Sequence, residues 1–151
     1  MNPRGAKTKV TVREIRLEDA GDVAELSGEL GYPVAPPDMA QRIHAQLQLR
    51  DHVTYLACVD DRAVGWIDVG ITHHLQADPY AEIGGFVVSG EVRSLGIGKQ
   101  LLARAEQWAA ERGLRRVLVR SQIARDRAHR FYLREGYKQT KTSAVFTKEL
   151  G

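Results

Sequence analysis

The sequence has very little cysteine: Cys58 is the only one in 151 residues. A single cysteine excludes a disulfide framework and a cysteine-based zinc site. No apolar run approaches the roughly 20 residues needed to cross a membrane. The basic residues 1–9 (MNPRGAKTK) are not followed by the apolar stretch of a secretory signal. We therefore expect a cytoplasmic protein with no membrane partner.

Charge of one sign is not in large excess, because 22 lysines and arginines face 19 acidic residues and give a net charge of +3. The arginines are nevertheless concentrated between residues 93 and 134, where acidic residues are few. Such a local positive field suits a nucleic acid or a phosphate-bearing cofactor. The aromatic side chains that bind single-stranded nucleic acid are sparse in this stretch. We therefore favour the cofactor and expect no nucleic-acid partner.

The size and composition are those of one soluble domain. The mass is 16.8 kDa, and apolar residues make up 43% of the chain, enough for a hydrophobic core without disulfides or metals. No composition shift indicates a linker or a second domain. We expect a flexible basic tail, residues 1–9, followed by a single domain over residues 10–151.

The first third of the chain predicts a strand and two helices. Val10–Leu17 alternates imperfectly and favours a strand. The pair Glu18–Asp19 is an N-cap for a first helix that stops at Gly31. Prolines exclude Tyr32–Pro37 from a helix interior and predict a loop. A second amphipathic helix follows.

The middle of the chain predicts a hairpin and a further strand. Val53–Val59 and Ala63–Ile71 are apolar and β-branched, and they are joined by the turn Asp60–Arg62. Tyr80–Val88 predicts the next strand.

The last third predicts a helix over Gly96–Arg112, a short central strand at Arg116–Arg120 and a helix over Asp126–Glu135. One or two closing strands are expected in Tyr137–Leu150. The element order β-α-α-β-β-β-α-β-α-β(-β) predicts an α/β fold, a mixed sheet with helices on both faces.

The loop between Val88 and the next helix has the features of a phosphate site. The first turn of a helix presents unpaired N–H groups and the positive end of the helix dipole. Glycine at 96 and 98 lets phosphate oxygens approach the backbone, and Arg93 adds a cationic fork. The loop lacks the Gly-Lys-Ser/Thr ending of a P-loop and the dinucleotide G-x-G-x-x-G spacing.

These residues resemble the GCN5-related N-acetyltransferase (GNAT) family. The likeness rests on the R-x-x-G-x-G loop from Arg93 to Gly98, on the preceding strand EIGGFVV, and on the block AHRFYLREGY from Ala128 to Tyr137. The element order matches from about residue 10 to residue 149. The resemblance implies a GNAT fold with six or seven mostly antiparallel strands and two splayed central ones.

The resemblance also implies that acetyl-CoA is the co-substrate. Its pantetheine arm is expected along Phe86, Val87 and Val88, and its pyrophosphate on the loop. The expected loop contacts are Arg93, Ser94, Leu95, Gly96, Ile97, Gly98 and Lys99. Arg125 stands where the family commonly carries an asparagine, and an arginine there can contact a phosphate instead.

Two catalytic roles follow from the resemblance. Glu82 corresponds to a general base, with a simple exposed carboxylate or an ammonium-positioning group as the alternatives. Tyr132 corresponds to the acid that protonates the leaving thiolate, with a core aromatic as the alternative. The Val88 N–H is the expected oxyanion donor. Acetyl transfer by direct attack needs no covalent enzyme intermediate.

The resemblance implies an acceptor covered by the loop Gly31–Asp38, and we expect a small primary amine there, with Tyr32 lining the site. Asp68 is expected either to contact the substrate or to be a surface residue. A protein amine is the runner-up, and a non-catalytic acyl-CoA-binding domain is a third hypothesis. Adjacent His73 and His74 do not suggest a metal, and no metal is expected.

The resemblance also implies a homodimer, because small members of the family often pair through their C-terminal strands. Val145–Thr147 would lie on or near such a strand edge, which needs covering.

Overall fold

The structure is a computed structural model that describes residues 9–151, apart from the side chains of Glu91, Arg93 and Ser94. The predicted tail therefore lies outside the described residues except for Lys9. The elements are β1 (Val10–Glu14), α1 (Ala20–Glu29), α2 (Pro36–Leu47), β2 (His52–Val59), β3 (Arg62–Thr72), β4 (Tyr80–Val88), α3 (Ile97–Glu111), β5 (Val117–Val119) and α4 (Asp126–Arg134). Short 3-10 segments cover Leu17–Asp19 and Gly90–Leu95.

The five strands form one mixed sheet in the order β1-β2-β3-β4-β5. The first three pairings are antiparallel, and β4 with β5 is parallel. The predicted mixed, mostly antiparallel α/β sheet is confirmed. The expected six or seven strands are not: the described residues contain five, and β5 lies at the end of the order, not at its centre.

Two compact units divide the chain, one ending at Val119 and the other spanning Arg120–Gly151. The first contains the whole sheet and α1 to α3. The second contains α4 and the C-terminal segment. The single-domain organisation stays a prediction.

The β2–β3 hairpin is built by its two turn residues. Asp60 and Asp61 have φ angles of 50° and 62°, and Val59 pairs directly with Arg62. Two successive residues with positive φ give the turn whose twist matches that of an antiparallel pair, and aspartate tolerates this conformation. The predicted hairpin is confirmed.

The prediction that the Asp19 side chain caps α1 is wrong. Asp19 immediately precedes this helix, but its side chain makes no capping hydrogen bond to it. It instead accepts hydrogen bonds from the Arg13 guanidinium at 2.7 and 2.9 Å and from the Arg16 N–H at 2.7 Å. Burial opposes its ionisation, but these bonds outweigh burial and lower the pKa of Asp19. The carboxylate ties β1 to the start of α1.

The predicted loop Tyr32–Pro37 is too long, because α2 already begins at Pro36. Proline is excluded from a helix interior but is well placed in the first turn, where its missing N–H has no helical partner to lose. The loop that remains ends at Ala35.

Helices cover both faces of the sheet, as predicted. On one face α1 and α2 pack over Leu56 and Cys58 of β2. On the other, Arg104 of α3 lies over the Tyr55 ring at 4.4 Å. Since Tyr55 and Leu56 are neighbours in a strand, their side chains point to opposite faces. We call these the α1/α2 face and the α3 face.

The predicted closing strands in Tyr137–Leu150 are absent from the structure, which shows no regular element there. The side chains of Val145, Phe146 and Leu150 are 84%, 93% and 91% exposed. A strand needs a neighbouring strand to satisfy its backbone groups, and an alternating sequence alone does not supply one.

Candidate active site

A bulge in β4 shapes the centre of the site. Asp68 pairs with Gly85 and Val69 pairs with Ile83, so Gly84 is an extra residue on β4. A β-carbon on Gly85 would lie only 2.6 Å from the Trp66 ring. Glycine lets the ring cover the bulged strand, and the bulge bends that strand.

β4 extends past the end of β5. Their pairing ends at Ile83 with Val119, the last residue of β5, while β4 continues to Val88. On its other edge β4 stays paired with β3, and the Ser89 N–H donates to Val64 O at 2.8 Å. Because backbone groups alternate along a strand, those of Val88 point away from β3, as the predicted oxyanion role requires.

The end of β4 leads into the start of α3. Gly96 precedes the helix with φ of 71°, in the left-handed region, and its O accepts a bond from Gln100 N at 3.1 Å. The N–H groups of Ile97, Gly98 and Lys99 therefore have no acceptor within the helix. Such N–H groups, at the positive end of a 15-residue helix, can bind an anion.

Gly96 also has a conformational requirement. Its φ lies in the left-handed region, which favours glycine, and nothing lies within 4 Å of a β-carbon built there. The approach of phosphate oxygens to this glycine stays a prediction. Leu95 is 39% exposed beside it. The side chains of Arg93 and Ser94, predicted to contact the cofactor, lie outside the described residues.

Two carboxylates share the α1/α2 face. Glu82 pairs with Gly70, and Asp68 pairs with Gly85 across the same two strands, which makes the carboxylates diagonal neighbours. Glu82 is half-buried, and its Oε1 accepts a hydrogen bond from Thr72 Oγ1 at 3.1 Å. The structure brings the predicted base and the predicted substrate contact Asp68 together.

His52 is a member of this cluster that the sequence reasoning missed. Its Nε2 forms an ion pair with Asp68 Oδ1, and the two side chains are 22% and 17% exposed. A β-carbon on Gly70 would lie 2.8 Å from His52 Nδ1, and one on Gly84 would lie 3.1 Å from Asp68 Oδ2. The glycines at 70 and 84 were the sequence signal for this contact, because a glycine inside a strand often marks a place where another group approaches the backbone closely.

The predicted acceptor loop carries one exposed aromatic. Tyr32 is 59% exposed, and its N–H donates to Ser27 O at 3.0 Å, following Gly31 with φ of 89°. This arrangement closes α1 with a left-handed glycine. The phenol is accessible, and its contact with the acceptor stays a prediction.

The remaining predicted residues belong to the second unit. Tyr132 on α4 is half-buried, and its ring lies 5.5 Å from that of Phe131 and 5.9 Å from that of Tyr137. Burial raises the pKa of the Tyr132 phenol, and the charge of Arg125 offsets part of that rise. Tyr132 thus holds its proton at neutral pH. Arg125 precedes α4 and is exposed.

Other candidate chemistry finds no support in the described part of the chain. His73 and His74 are exposed, and no group of three His, Cys, Asp or Glu among the described residues can hold a metal. Cys58 is 4% exposed, and burial raises the pKa of its thiol, as expected of a small core residue. Among the described residues no helix is long and apolar enough to span a membrane.

β4 continues past its pairing with β5 and leads toward a helix N-terminus, and this arrangement fits an extended phosphorylated cofactor. Carboxylates on β3 and β4 can hold or deprotonate an amine. Together they define a coenzyme A-dependent acyltransferase. The profile described as "Acetyltransferase (GNAT) family" matches residues 19–137, and the chain belongs to this family. Acetyl-CoA is its co-substrate.

Curated relatives and solved structures agree with this assignment. The chain is 43% identical over 127 residues to aminoalkylphosphonate N-acetyltransferase of Salmonella typhimurium, covering 83% of this chain and 78% of that protein. It is 25% identical over 145 residues to aminoglycoside N(6')-acetyltransferase type 1 of Stenotrophomonas maltophilia, covering 93% and 94%.

Solved structures show the same fold. An aminoglycoside N-acetyltransferase in complex with CoA has a TM-score of 0.84 at 19% identity and covers 99% of this chain and 100% of that one. An aminoglycoside 6'-N-acetyltransferase from Acinetobacter baumannii has a TM-score of 0.82 at 20% identity, with coverage of 95% and 100%. The predicted GNAT fold is confirmed.

Proposed function

We propose that this enzyme moves the acetyl group of acetyl-CoA to the primary amine of a small molecule, and that an aminoalkylphosphonate is its acceptor. The observation that carries the reaction is the pair of carboxylates, Glu82 and Asp68, on β3 and β4 near the end of the β4–β5 pairing. The acceptor class is supported by 43% identity over most of the chain to the aminoalkylphosphonate enzyme.

The cofactor would lie along the part of β4 that follows its pairing with β5. Phe86, Val87 and Val88 pair with the pantetheine arm, and the pyrophosphate rests on the backbone N–H groups of the 93–99 loop. The start of α3 after Gly96 supports this placement, since the first N–H groups of a helix favour an anion. Arg125 supplies a positive charge for a phosphate of the same cofactor.

The reaction is a direct displacement. The neutral amine nitrogen bonds to the thioester carbonyl carbon, and the carbon–sulfur bond then breaks. Glu82 takes the amine proton, directly or through water, and the Val88 N–H stabilises the oxyanion. Thr72 holds the Glu82 carboxylate through its 3.1 Å hydrogen bond. Tyr132 gives its proton to the leaving thiolate, and its raised pKa suits that acid role.

A panel of acceptors tests the substrate class. Each compound is offered with acetyl-CoA, and the released thiol is measured. We expect an aminoalkylphosphonate to give the highest kcat/KM. A higher value for an aminoglycoside or for peptide amines would contradict the proposed acceptor while leaving the acetyltransferase assignment intact. Saturable CoA binding without turnover of any amine would favour a non-catalytic binding domain.

Assembly and location complete the proposal. We infer a cytoplasmic homodimer, supported by the exposed apolar side chains of Val145 and Phe146 in the C-terminal segment. A second copy can cover such side chains. Light scattering at micromolar concentration is expected to give twice the monomer mass of 16.8 kDa. A particle of monomer mass would refute the dimer.

A further inference from the structure

The His52–Asp68 pair contains a histidine to which the proposed reaction gives no role. Its members come from neighbouring strands, since Thr54 pairs with Asp68 and His52 with Gly70. The alternation places both side chains on the α1/α2 face, where Glu82 also lies. The pair rests on glycine at 70 and at 84, where any β-carbon would displace it.

We propose that His52 is a positioning residue that holds the Asp68 carboxylate for the acceptor's ammonium group. This proposal rests on the proposed function, because it gives the amine of that reaction its second carboxylate. His52 Nε2 contacts Asp68 Oδ1. With its proton on Nε2, the imidazole is the donor in this contact, and the contact limits the rotation of the carboxylate. Asp68 Oδ2 is then held over Gly84, two residues from Glu82 along β4.

The glycines let polar side chains lie close against the sheet near the two carboxylates. A β-carbon would lie 2.8 Å from His52 Nδ1 at Gly70 and 3.1 Å from Asp68 Oδ2 at Gly84. The Asp68 side chain is 17% exposed and Glu82 is half-buried, so an ammonium group that approaches from solvent can contact both carboxylates. An ammonium group carries three donors, and carboxylate oxygens are acceptors only.

The two carboxylates then have separate tasks. Glu82, held by Thr72, receives the proton that the amine loses. Asp68, held by His52, keeps the ammonium in place before that loss. Partial burial makes this attraction stronger than it would be in bulk water. A fixed Asp68 therefore lowers the KM for the amine and leaves acetyl-CoA binding unaffected.

The test compares His52→Ala with His52→Gln. Alanine removes the donor, whereas the glutamine amide can place an N–H close to the position of Nε2. We expect His52→Ala to raise the amine KM about tenfold, the usual worth of a hydrogen bond to a charged group, with the KM for acetyl-CoA unchanged. His52→Gln is expected to recover most of the loss.

His73→Ala is the matched control. His73 also faces an aspartate, with Nε2 3.4 Å from Asp51 Oδ2, but this pair is more than 60% exposed. Its removal is expected to change neither KM. Thermal unfolding of each variant verifies that the compared proteins are folded.

Three results would overturn the proposal: an unchanged amine KM in His52→Ala, a rise of the acetyl-CoA KM of the same size, or a glutamine variant as weak as the alanine variant. Calorimetric binding of the amine to the CoA-loaded protein separates this proposal from the proposed function. A wild-type protein that binds the amine without acetylating it contradicts the proposed function, and the His52 variants still decide the binding role.

Discussion

The two faces of the central sheet use the same strands for different purposes. On β3, Ile67 and Val69 are fully buried under α3, while Asp68 between them reaches the α1/α2 face with a partly exposed carboxylate. The α3 face packs against the apolar side chains of Leu101 and Ile97, with Arg104 over the Tyr55 ring. The other face contains a core near α1 and an open polar cluster beyond it.

Glycine shows the difference most clearly. On the α3 face, Gly65 allows close packing, since a β-carbon there would lie 3.2 Å from Leu101 and 2.9 Å from Val87 O. On the α1/α2 face, Gly70 and Gly84 make room for polar side chains instead. Glycine thus allows apolar packing on the α3 face and a polar cluster on the α1/α2 face. Substitutions on each face can measure stability and activity separately.

The largest effect is expected from Glu82→Gln on the polar face. Loss of a general base should lower kcat at neutral pH by roughly 10²–10⁴-fold, while the free energy of unfolding changes little. Activity should partly recover as the pH rises above the pKa of the amine, because solution then supplies the neutral form. Steady-state kinetics across pH measure this.

The control is Glu111→Gln, at the end of α3. The Glu111 carboxylate accepts an exposed hydrogen bond from Gln107 at 2.9 Å. It should keep full activity. If Glu82→Gln is fully active at pH 7, then Glu82 is not the base.

A substitution on the apolar α3 face is expected to lower stability instead of activity. Leu101 is fully buried, so Leu101→Ala should lower the free energy of unfolding by about 2–5 kcal/mol. The activity per folded molecule should be retained. Denaturant unfolding measures the loss, and Leu75→Ala, at a fully exposed leucine, should cost almost nothing. An unchanged stability in Leu101→Ala would contradict the packing described for α3.

Much of the fold was predictable from sequence because it depends on local patterns. The β-branched run Tyr80–Val88 gave its strand the bounds that the structure shows, and the turn at Asp60–Arg62 gave the hairpin. Two of the predicted segments were wrong. The strands predicted in the C-terminal segment did not form, because a strand needs a neighbouring strand. The predicted loop Tyr32–Pro37 was too long, because proline can begin a helix, as it does at Pro36.

The candidate site also contains features that could be predicted from the sequence and features that could not. Glu82 and the Gly96 loop were predictable because a resemblance carries them in short motifs. His52 was not, because its distance from Asp68 depends on the register of two strands and on a glycine at 70, and no local pattern encodes that register. The bulge at Gly84 has the same cause. Sequence periodicity does not indicate which strand gains an extra residue.

The two ends of α3 offer a matched comparison. Gly96 and Gly113 have φ angles of 71° and 74°, so alanine at either position brings similar backbone strain. Only Gly96→Ala disturbs the proposed phosphate site, and we expect it to weaken CoA binding about tenfold. Gly113→Ala should leave the affinity unchanged. Calorimetry on both proteins decides, and equal affinities would show that the pyrophosphate binds elsewhere.

The smallest effect is expected from Tyr132→Phe, in the second unit. The phenylalanine keeps the ring packing against Phe131 and Tyr137 but removes the proton offered to the thiolate. A thiolate leaves tolerably even without a proton, so kcat should fall only about tenfold, with the acetyl-CoA KM nearly unchanged.

The pH dependence separates this role from that of Glu82. Burial raises the pKa of Tyr132 above its ordinary value of 10.0, so the wild-type phenol keeps its proton across the neutral and mildly alkaline range. The deficit of Tyr132→Phe should therefore persist at the pH where Glu82→Gln recovers. Tyr137→Phe, which changes the neighbouring phenol of the same cluster, should be fully active. If alkaline pH restores Tyr132→Phe, the phenol does not protonate the thiolate, and its place on α4 is one of packing alone.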